Sequence, residues 1–124
     1  MGIDRRRIGL HWEREAESFL HRRGLKTLQR NFNCRGGEID LVMMDQASLV
    51  FVEVRFRSRS THGTGAETIG RLKRQRLVRA ARFYLGQHRR HSTRACRFDV
   101  ISVSDQPDHS RFDWIRNAFD ADEG

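Results

Sequence analysis

The segment GEIDLVMMDQASLVFVEVRF, residues 37–56, decides the fold, because it holds two strand-like runs joined by a very short turn. The runs are residues 37–44 and 49–56. A tight hairpin turn sets which residues of two strands face each other. A turn centred between these runs pairs residues whose numbers add to 93, and it therefore places Asp40 opposite Glu53.

The same register gives the predicted hairpin one apolar face. That face consists of opposed residues from the two strands: Ile39 with Val54, Leu41 with Val52, and Met43 with Val50. The two acids lie on the other face. A turn of a different type would shift the register by one residue and remove this argument.

Two opposed carboxylates need an explanation, since opposed side chains have Cβ atoms about 4.5–5.5 Å apart and like charges there are destabilising. One explanation is a metal site formed by Asp40 and Glu53, because Mg²⁺ is usually held by one or two carboxylates together with substrate phosphates. Mn²⁺ accepts the same oxygen ligands. The alternative is that both acids are solvated or paired with arginines, and the hairpin alone gives the two interpretations equal weight.

Periodicity predicts two elements before the hairpin. Apolar residues at helical spacing indicate a helix over residues 8–23, and Gly24 is well placed to end it. Residues 25–33 have the pattern of a strand, with Leu28 and Phe32 as apolar anchors.

Helix and strand patterns alternate again after the hairpin. A second helix is predicted over residues 67–88, with an apolar stripe made of Ile69, Leu72, Leu77, Ala80, Ala81, Tyr84 and Leu85. A strand follows over residues 96–104, and a last strand or short helix covers residues 112–119. The order α-β-β-β-α-β-β indicates an α/β fold with a mixed β-sheet flanked by helices. We expect a single domain over residues 1–119 and a frayed acidic tail over residues 120–124.

The net charge of +8, from 24 Lys and Arg residues against 16 Asp and Glu residues, predicts an anionic partner, most often nucleic acid. The candidate phosphate contacts lie in or before the second helix: Arg57, Arg59, Arg71, Lys73, Arg74, Arg76, Arg79 and Arg82. The alternative is a solvated helix face. Lys73 lies one helical turn from Ile69 and Leu77, so it could reach a phosphate at the acidic site or extend to the surface.

Cysteine usage and hydropathy bear on the compartment. Cys34 and Cys96 are far apart and lack metal-ligand spacing, which is typical of a reduced intracellular protein. No apolar run approaches the roughly 18 residues of a membrane span, and the basic N-terminus has no apolar region of a signal peptide. We therefore expect a cytoplasmic protein without a membrane partner.

Several motifs together resemble a known bacterial family. They are GLHWEREAESFL at residues 9–20, RNF at 30–32, GEIDLV at 37–42, VFVEVR at 50–55, RFDVI at 97–101 and WIRNAF at 114–119. On these motifs the chain is similar to the YraN-type family of small, largely uncharacterised bacterial proteins. That family resembles archaeal Holliday-junction resolvases, which belong to the PD-(D/E)xK nuclease superfamily. The resemblance covers nearly the whole chain and implies a restriction-endonuclease-like fold.

The resemblance also implies a function, namely a metal-dependent endonuclease that acts on structured or branched DNA. Asp40 and Glu53 match the metal-binding acids of that superfamily, and Glu13 matches the acid of the first helix. Arg55 stands where the motif has lysine and is counted with the catalytic residues. It could stabilise charge on a phosphate or pair with Glu38, its cross-strand neighbour. Because junction resolvases need two active sites, the resemblance further implies a homodimer.

Two other functions stay open. A nucleic-acid-binding module could keep the nuclease fold without catalysis. Arg55 in place of lysine favours this alternative, because arginine stays protonated and cannot act as a base. An adaptor protein could instead use the basic face to bind an acidic partner.

Overall fold

The computed structural model describes residues 5–57, 69–105 and 110–121. The elements in chain order are α1 (Arg5–His21), β1 (Lys26–Cys34), β2 (Gly37–Asp45), β3 (Ser48–Arg57), α2 (Arg71–Gln87), a 3-10 turn at Arg89–His91, β4 (Cys96–Asp105) and β5 (Ser110–Phe119). The predicted order α-β-β-β-α-β-β is confirmed, and the last element is a strand. The start of the second predicted helix, at residues 67 and 68, and the end of the acidic tail lie outside the described residues.

The five strands form one mixed sheet in the order β1-β2-β3-β4-β5. All neighbouring strands are antiparallel except β3 and β4, which are parallel. Parallel neighbours need a crossover connection, and α2 lies in the connection between these two strands. None of the helices in the described part of the chain is long and apolar enough to cross a membrane.

The predicted hairpin register is confirmed. Asp45 pairs with Ser48 across the turn, and the ladder runs without a shift to the pair of Leu41 and Val52. Gln46 adopts a φ of 56° in the turn, a left-handed conformation that tight hairpin turns require. Beyond Leu41 the regular ladder ends, and the next residue toward the start of β2 is Asp40.

The two helices cover opposite faces of the sheet and create two apolar cores. One core joins α2 residues, such as Leu77 and Tyr84, to Val42 and Phe51 of the hairpin. The other joins Ala16 and Leu20 of α1 to a set of strand residues: Leu41, Met43, Val50, Val52, Ile101 and Val103. Asp40 and Glu53 therefore lie on two interior strands of a sheet that is covered by a helix on each face.

The prediction that Ile39 shares a face of the sheet with Leu41 and Met43 is wrong. Ile39 is fully buried in the core beneath α2, whereas Leu41 and Met43 belong to the core beneath α1. The ladder between β2 and β3 ends at Leu41, so the residues before it no longer follow the alternation of the hairpin. On the other side, Asn31 of β1 has a φ of 52° and interrupts the regular pairing of β1 with β2.

Two predicted apolar anchors are wrong. Leu28 is 40% exposed because the pairing of β1 with β2 shifts register between Thr27 and Gln29, which leaves Leu28 out of the ladder. Leu72 is 69% exposed although it was assigned to the stripe of α2. Leu72 and Leu77 are five positions apart, and at 3.6 residues per turn their side chains point in different directions.

Gly37 has a structural requirement for glycine. A Cβ atom at Gly37 would lie 2.3 Å from the backbone oxygen of Arg76, because α2 approaches the start of β2 this closely. No real Cβ can occupy that position unless α2 moves away from the sheet. Glycine at this position therefore sets the distance between α2 and the hairpin.

We expect Gly37→Ala to lower the free energy of unfolding by about 1–3 kcal/mol, the usual cost of overpacking. The matched control is Gly86→Ala in α2, where a Cβ would meet nothing within 4 Å. The control should raise stability by about 0.5–1 kcal/mol, because alanine favours the helix over glycine. Urea unfolding of the three proteins measures both changes. Equal stability of Gly37→Ala and the native protein would contradict the close approach.

Candidate functional site

Three acids from three elements meet where the regular pairing of β2 with β3 ends. Glu13 comes from α1, Asp40 from β2 and Glu53 from β3. One carboxylate oxygen of Asp40, Oδ2, accepts a hydrogen bond from the backbone N–H of Val54 at an N–O distance of 2.8 Å. The side chains of Glu13 and Asp40 are hydrogen-bonded to each other. Asp40 is therefore held from both sides, and it lies at the centre of the group.

The pKa values of these acids are raised by their surroundings. Burial raises the pKa of Glu53 to about 8, and the negative charge of Asp40 adds to the effect. Burial also raises the pKa of Glu13 to about 7, with contributions from the charge of Asp40 and the hydrogen bond to it. The pKa of Asp40 is raised as well, chiefly by burial. Asp40 thus opposes the ionisation of both Glu13 and Glu53, whereas the hydrogen bond from Glu13 lowers the pKa of Asp40 against the effect of burial.

Lys73 supplies the positive charge of the site. Its Nζ atom lies 3.3 Å from Oε1 of Glu53, and the side chain of Glu53 is only 8% exposed. The charge of Lys73 lowers the pKa of Glu53 and of Asp40 against the effect of burial. Of the two alternatives for Lys73, a position at the acidic site and a position at the surface, the structure places its ammonium group at the acids. Arg55 also acts electrostatically on Glu53, and it lowers the pKa of that carboxyl.

These pKa values predict how stability changes with pH. The pKa of both Glu13 and Glu53 is raised above its ordinary value of 4.5, so the folded protein keeps protons that the unfolded chain releases. The contribution of these groups is therefore largest below about pH 4.5 and is lost as the pH rises through about 7 to 8.

We expect the native protein, without divalent metal, to lose stability relative to the variant Glu53→Gln between pH 5.5 and pH 8.5. The variant removes the titration of Glu53, so the difference between the two proteins depends chiefly on that carboxyl. Urea unfolding at a series of pH values measures the difference. A difference that stays constant, or that changes in favour of the native protein at high pH, would contradict the raised pKa of Glu53.

The acids fit a hard divalent cation by the chemistry of their donor atoms. In residues 5–57, 69–105 and 110–121, no group of three or more His, Cys, Asp or Glu side chains is arranged to hold a metal ion. Asp40 and Glu53 are two carboxylates, however, and Mg²⁺ typically takes one or two carboxylates together with phosphate oxygens. A cation between them would relieve the repulsion that raises the pKa of Glu53.

The arginines among the predicted phosphate contacts divide into three groups, and Lys73 lies at the acids as described above. Arg71, Arg76, Arg79 and Arg82 are exposed on α2. Arg74 is half-buried and donates a hydrogen bond from Nη1 to the backbone oxygen of Ile69, with a distance of 3.4 Å. Its Nε atom is buried without a hydrogen-bond partner. The side chain of Arg57 and all of Arg59 lie outside the described residues.

Asn31 is a site residue that the sequence did not reveal. Its side chain is hydrogen-bonded to Glu13 and lowers the pKa of that acid. Asn31 lies in the motif Arg30-Asn31-Phe32, which contributes to the family resemblance, but no periodicity of the sequence singles it out. Its φ of 52° is the signal in the structure, since asparagine adopts this conformation more readily than most residues.

Comparison with known proteins identifies the family. The model of the uncharacterised protein family UPF0102 matches residues 12–103. A UPF0102 protein of Chromohalobacter salexigens is 50% identical over 118 residues, which cover 95% of this chain and 94% of the relative. A UPF0102 protein of Alcanivorax borkumensis is 40% identical over 118 residues, or 93% of each chain. The resemblance to YraN-type proteins is thereby confirmed, and the chain belongs to the uncharacterised protein family UPF0102.

Proposed function

We propose that this protein binds nucleic acid and hydrolyses phosphodiester bonds in structured or branched DNA with the help of Mg²⁺ or Mn²⁺. The observation that carries the proposal is the meeting of Glu13, Asp40 and Glu53 beside Lys73. Carboxyl groups with raised pKa values and a specific charge partner are typical of functional sites. The exposed arginines of α2 supply a surface for a phosphate backbone.

Each residue has a role that follows from its surroundings. Asp40 and Glu53 would hold the cation, which when bound activates water and neutralises charge on phosphate oxygens. Glu13, with a pKa of about 7, can hold or release a proton near neutral pH and is oriented by Asp40. Lys73 and Arg55 place positive charge near Glu53, where a phosphate would develop negative charge.

A cleavage assay tests the proposal. The substrates are a four-way junction, a flap, a duplex and a single strand of DNA, each with Mg²⁺, with Mn²⁺ and with a chelator. Glu53→Gln, purified in the same way, controls for contaminating nucleases. We expect cleavage by the native protein with metal, preference for a branched substrate, and none by the variant. Native protein that cleaves none of the substrates, although it is folded and binds DNA, would refute the enzymatic part.

A binding module without catalysis is the second candidate, and Lys73 favours it. The ammonium group of Lys73 already lies 3.3 Å from Glu53 and partly satisfies the charge that a cation would neutralise. Arg55 in place of the motif lysine points the same way. If the protein is a binding module, we expect salt-sensitive DNA binding that persists in Glu53→Gln, and no metal-dependent cleavage under any condition.

Replacing Lys73 tests whether its ammonium group assists cleavage or competes with the metal. If Lys73 acts on the substrate, we expect Lys73→Met to lower cleavage by about 100-fold, a typical effect of one positioned charged group. The pH profile should also shift to higher pH, because Lys73 lowers the pKa of Glu53. Lys73→Arg is the control, since it keeps the charge. Faster cleavage or tighter metal binding by Lys73→Met would instead identify the ammonium group as a competitor of the metal.

A further inference from the structure

A cleft separates α2 from the turn between β1 and β2, directly beside the acids. It has a volume of about 540 Å³. One wall is the turn, with Gly36 and Gly37, and the other is the helix, with Lys73, Arg76 and Arg79. Three basic side chains thus line the cleft, and the acid among its lining residues is Glu38. The excess of positive charge suits an anion rather than a neutral ligand.

The absence of side chains at Gly36 and Gly37 lets the turn and α2 approach each other closely, and it lets Arg79 pack against the turn. A Cβ at Gly36 would lie 2.9 Å from Cδ and 3.0 Å from Nη1 of Arg79, so this side chain rests against the turn. At Gly37 the backbone of the turn approaches the backbone of Arg76. The guanidinium group of Arg79 is therefore placed by packing, which reduces the ordering that an anion would otherwise have to impose.

Lys73 connects this cleft to the acidic site. It lines the cleft, and its Nζ atom also lies 3.3 Å from Glu53. On the far side, a second cavity of about 340 Å³ is lined by Arg79 and Arg82, so the two cavities share Arg79. From Lys73 to Arg82 the helix rises about 13.5 Å at 1.5 Å per residue. Measured along the axis of a duplex, that rise corresponds to about four nucleotides of one strand at 3.4 Å each.

We propose that this cleft binds the phosphodiester backbone of the nucleic-acid strand that enters the acidic site. The strand runs along α2, with phosphates next to the reacting one bound by Arg76 and Arg79 and later ones by Arg82. The inference rests on the proposed function, and it adds the path of the substrate strand along one helix. The contacts are to phosphates, so binding through the cleft is independent of base sequence and sensitive to salt.

The two cysteines of the chain allow a direct test. Cys34 lines the cleft. Cys96 is exposed and pairs with Leu49, at the end of the hairpin away from Gly37. The native protein is treated with N-ethylmaleimide in chelator, with and without a four-way DNA junction. We expect DNA to slow the modification of Cys34 at least about fivefold, because an occupied cleft excludes the reagent, and to change that of Cys96 less than about twofold.

A pair of double variants provides the second measurement. Arg76→Gln with Arg79→Gln is compared with Arg22→Gln and Arg89→Gln, which remove the same charge from exposed arginines outside the cleft. We expect the cleft variant to bind DNA at least about tenfold more weakly, with a salt dependence lower by about two released ions. The control variant should lose much less affinity and keep the slope.

The outcomes distinguish the inference from the function on which it rests. If the native protein binds or cleaves DNA but Cys34 stays reactive and the two double variants behave alike, the path along α2 is wrong and the proposed function stands. If the native protein neither binds nor cleaves DNA, the proposed function fails and the inference fails with it. Protection of Cys34 together with selective weakening in the cleft variant supports both.

Discussion

Replacing Asp40 by Asn is expected to lower metal-dependent cleavage at least about 100-fold. Loss of a residue that only orients a metal ligand typically costs about 10- to 100-fold, and loss of a ligand itself should cost at least as much. The charge of Asp40 raises the pKa of both Glu13 and Glu53, so Asp40 is the residue on which the proposed cation site depends most. The amide oxygen of asparagine can still accept the hydrogen bond from the N–H of Val54, now 2.8 Å from the carboxylate. The fold should therefore survive while the charge is lost.

The same substitution should make the metal-free protein more stable at pH 8. Asp40 raises the pKa of both Glu13 and Glu53, so its removal relieves repulsion in the pH range where these acids ionise. We expect a gain of about 1 kcal/mol, as is common when a strained functional group is removed. At pH 5 the gain should shrink, because Glu13 and Glu53 then carry protons in either protein.

Urea unfolding with chelator and with Mg²⁺, at pH 5 and pH 8, measures these changes. The native protein should gain stability from Mg²⁺ at pH 8, by an amount that follows the metal concentration, and Asp40→Asn should gain little. Glu15→Gln, an exposed acid of α1, is the matched control for a change of one charge. Undiminished cleavage by Asp40→Asn, or a loss of its stability at pH 8, would show that Asp40 is not at the centre of the site.

Local rules predicted the hairpin because its geometry depends on few residues. Alternation sets the direction of each side chain, and the length of the turn sets the register, so the pairing from Asp45 and Ser48 to Leu41 and Val52 follows from local sequence. The ladder ends one residue before the predicted pair of Asp40 and Glu53. For Lys73, its spacing from Ile69 and Leu77 left two positions open, one at the acidic site and one at the surface. In the structure its ammonium group contacts Glu53.

Features that depend on other strands could not be predicted in this way. Ile39 changes face where β2 leaves β3, and Leu28 leaves the ladder at a register shift of β1. The first irregularity lies in the pairing of β2 with β3 and the second in the pairing of β1 with β2, so neither follows from the alternation within one strand. The position of Glu13 was implied only by the resemblance, because it depends on how α1 docks on the sheet. The pKa values of the acids follow from that docking as well.

Asp99 shows how far an acid in a family motif can be structural. Its side chain is buried, and both carboxylate oxygens are occupied. Arg97 donates to both of them from Nε, at 3.0 and 3.2 Å. The indole N–H of Trp114 donates to Oδ2 and the backbone N–H of Asn117 to Oδ1, each at 2.9 Å. Asp99 thus joins β4 to the end of β5, where Asn117 adopts a φ of 51°.

We expect Asp99→Ala to lower the free energy of unfolding by about 3–5 kcal/mol, because breaking a buried pair leaves its partners without compensation. The donors of Trp114 and Asn117 would lose their acceptor, although Arg97 would keep the carboxylate of Asp45, which lies 2.8 Å from its Nη2. Asp99→Asn keeps the shape of the side chain and one acceptor oxygen, so it should lower the free energy of unfolding less than Asp99→Ala does. Urea unfolding measures each change.

The neighbouring strand offers a matched control with the same local sequence pattern. Arg111 and Asp113 on β5 are also two residues apart, and Nε of Arg111 lies 3.3 Å from Oδ1 of Asp113. That pair is exposed, with 67% and 38% of the two side chains accessible, so Asp113→Ala should change stability by less than about 1 kcal/mol. Equal effects of the two alanine variants would contradict a structural role for Asp99.

If Asp99 only supports the sheet, Asp99→Asn should also retain the stabilisation by Mg²⁺ that Asp40→Asn loses. Asp99 is a buried carboxylate satisfied by hydrogen-bond donors, whereas Asp40 lies beside other acids. The change of stability on addition of Mg²⁺ distinguishes these two kinds of carboxylate, and their position in a family motif does not.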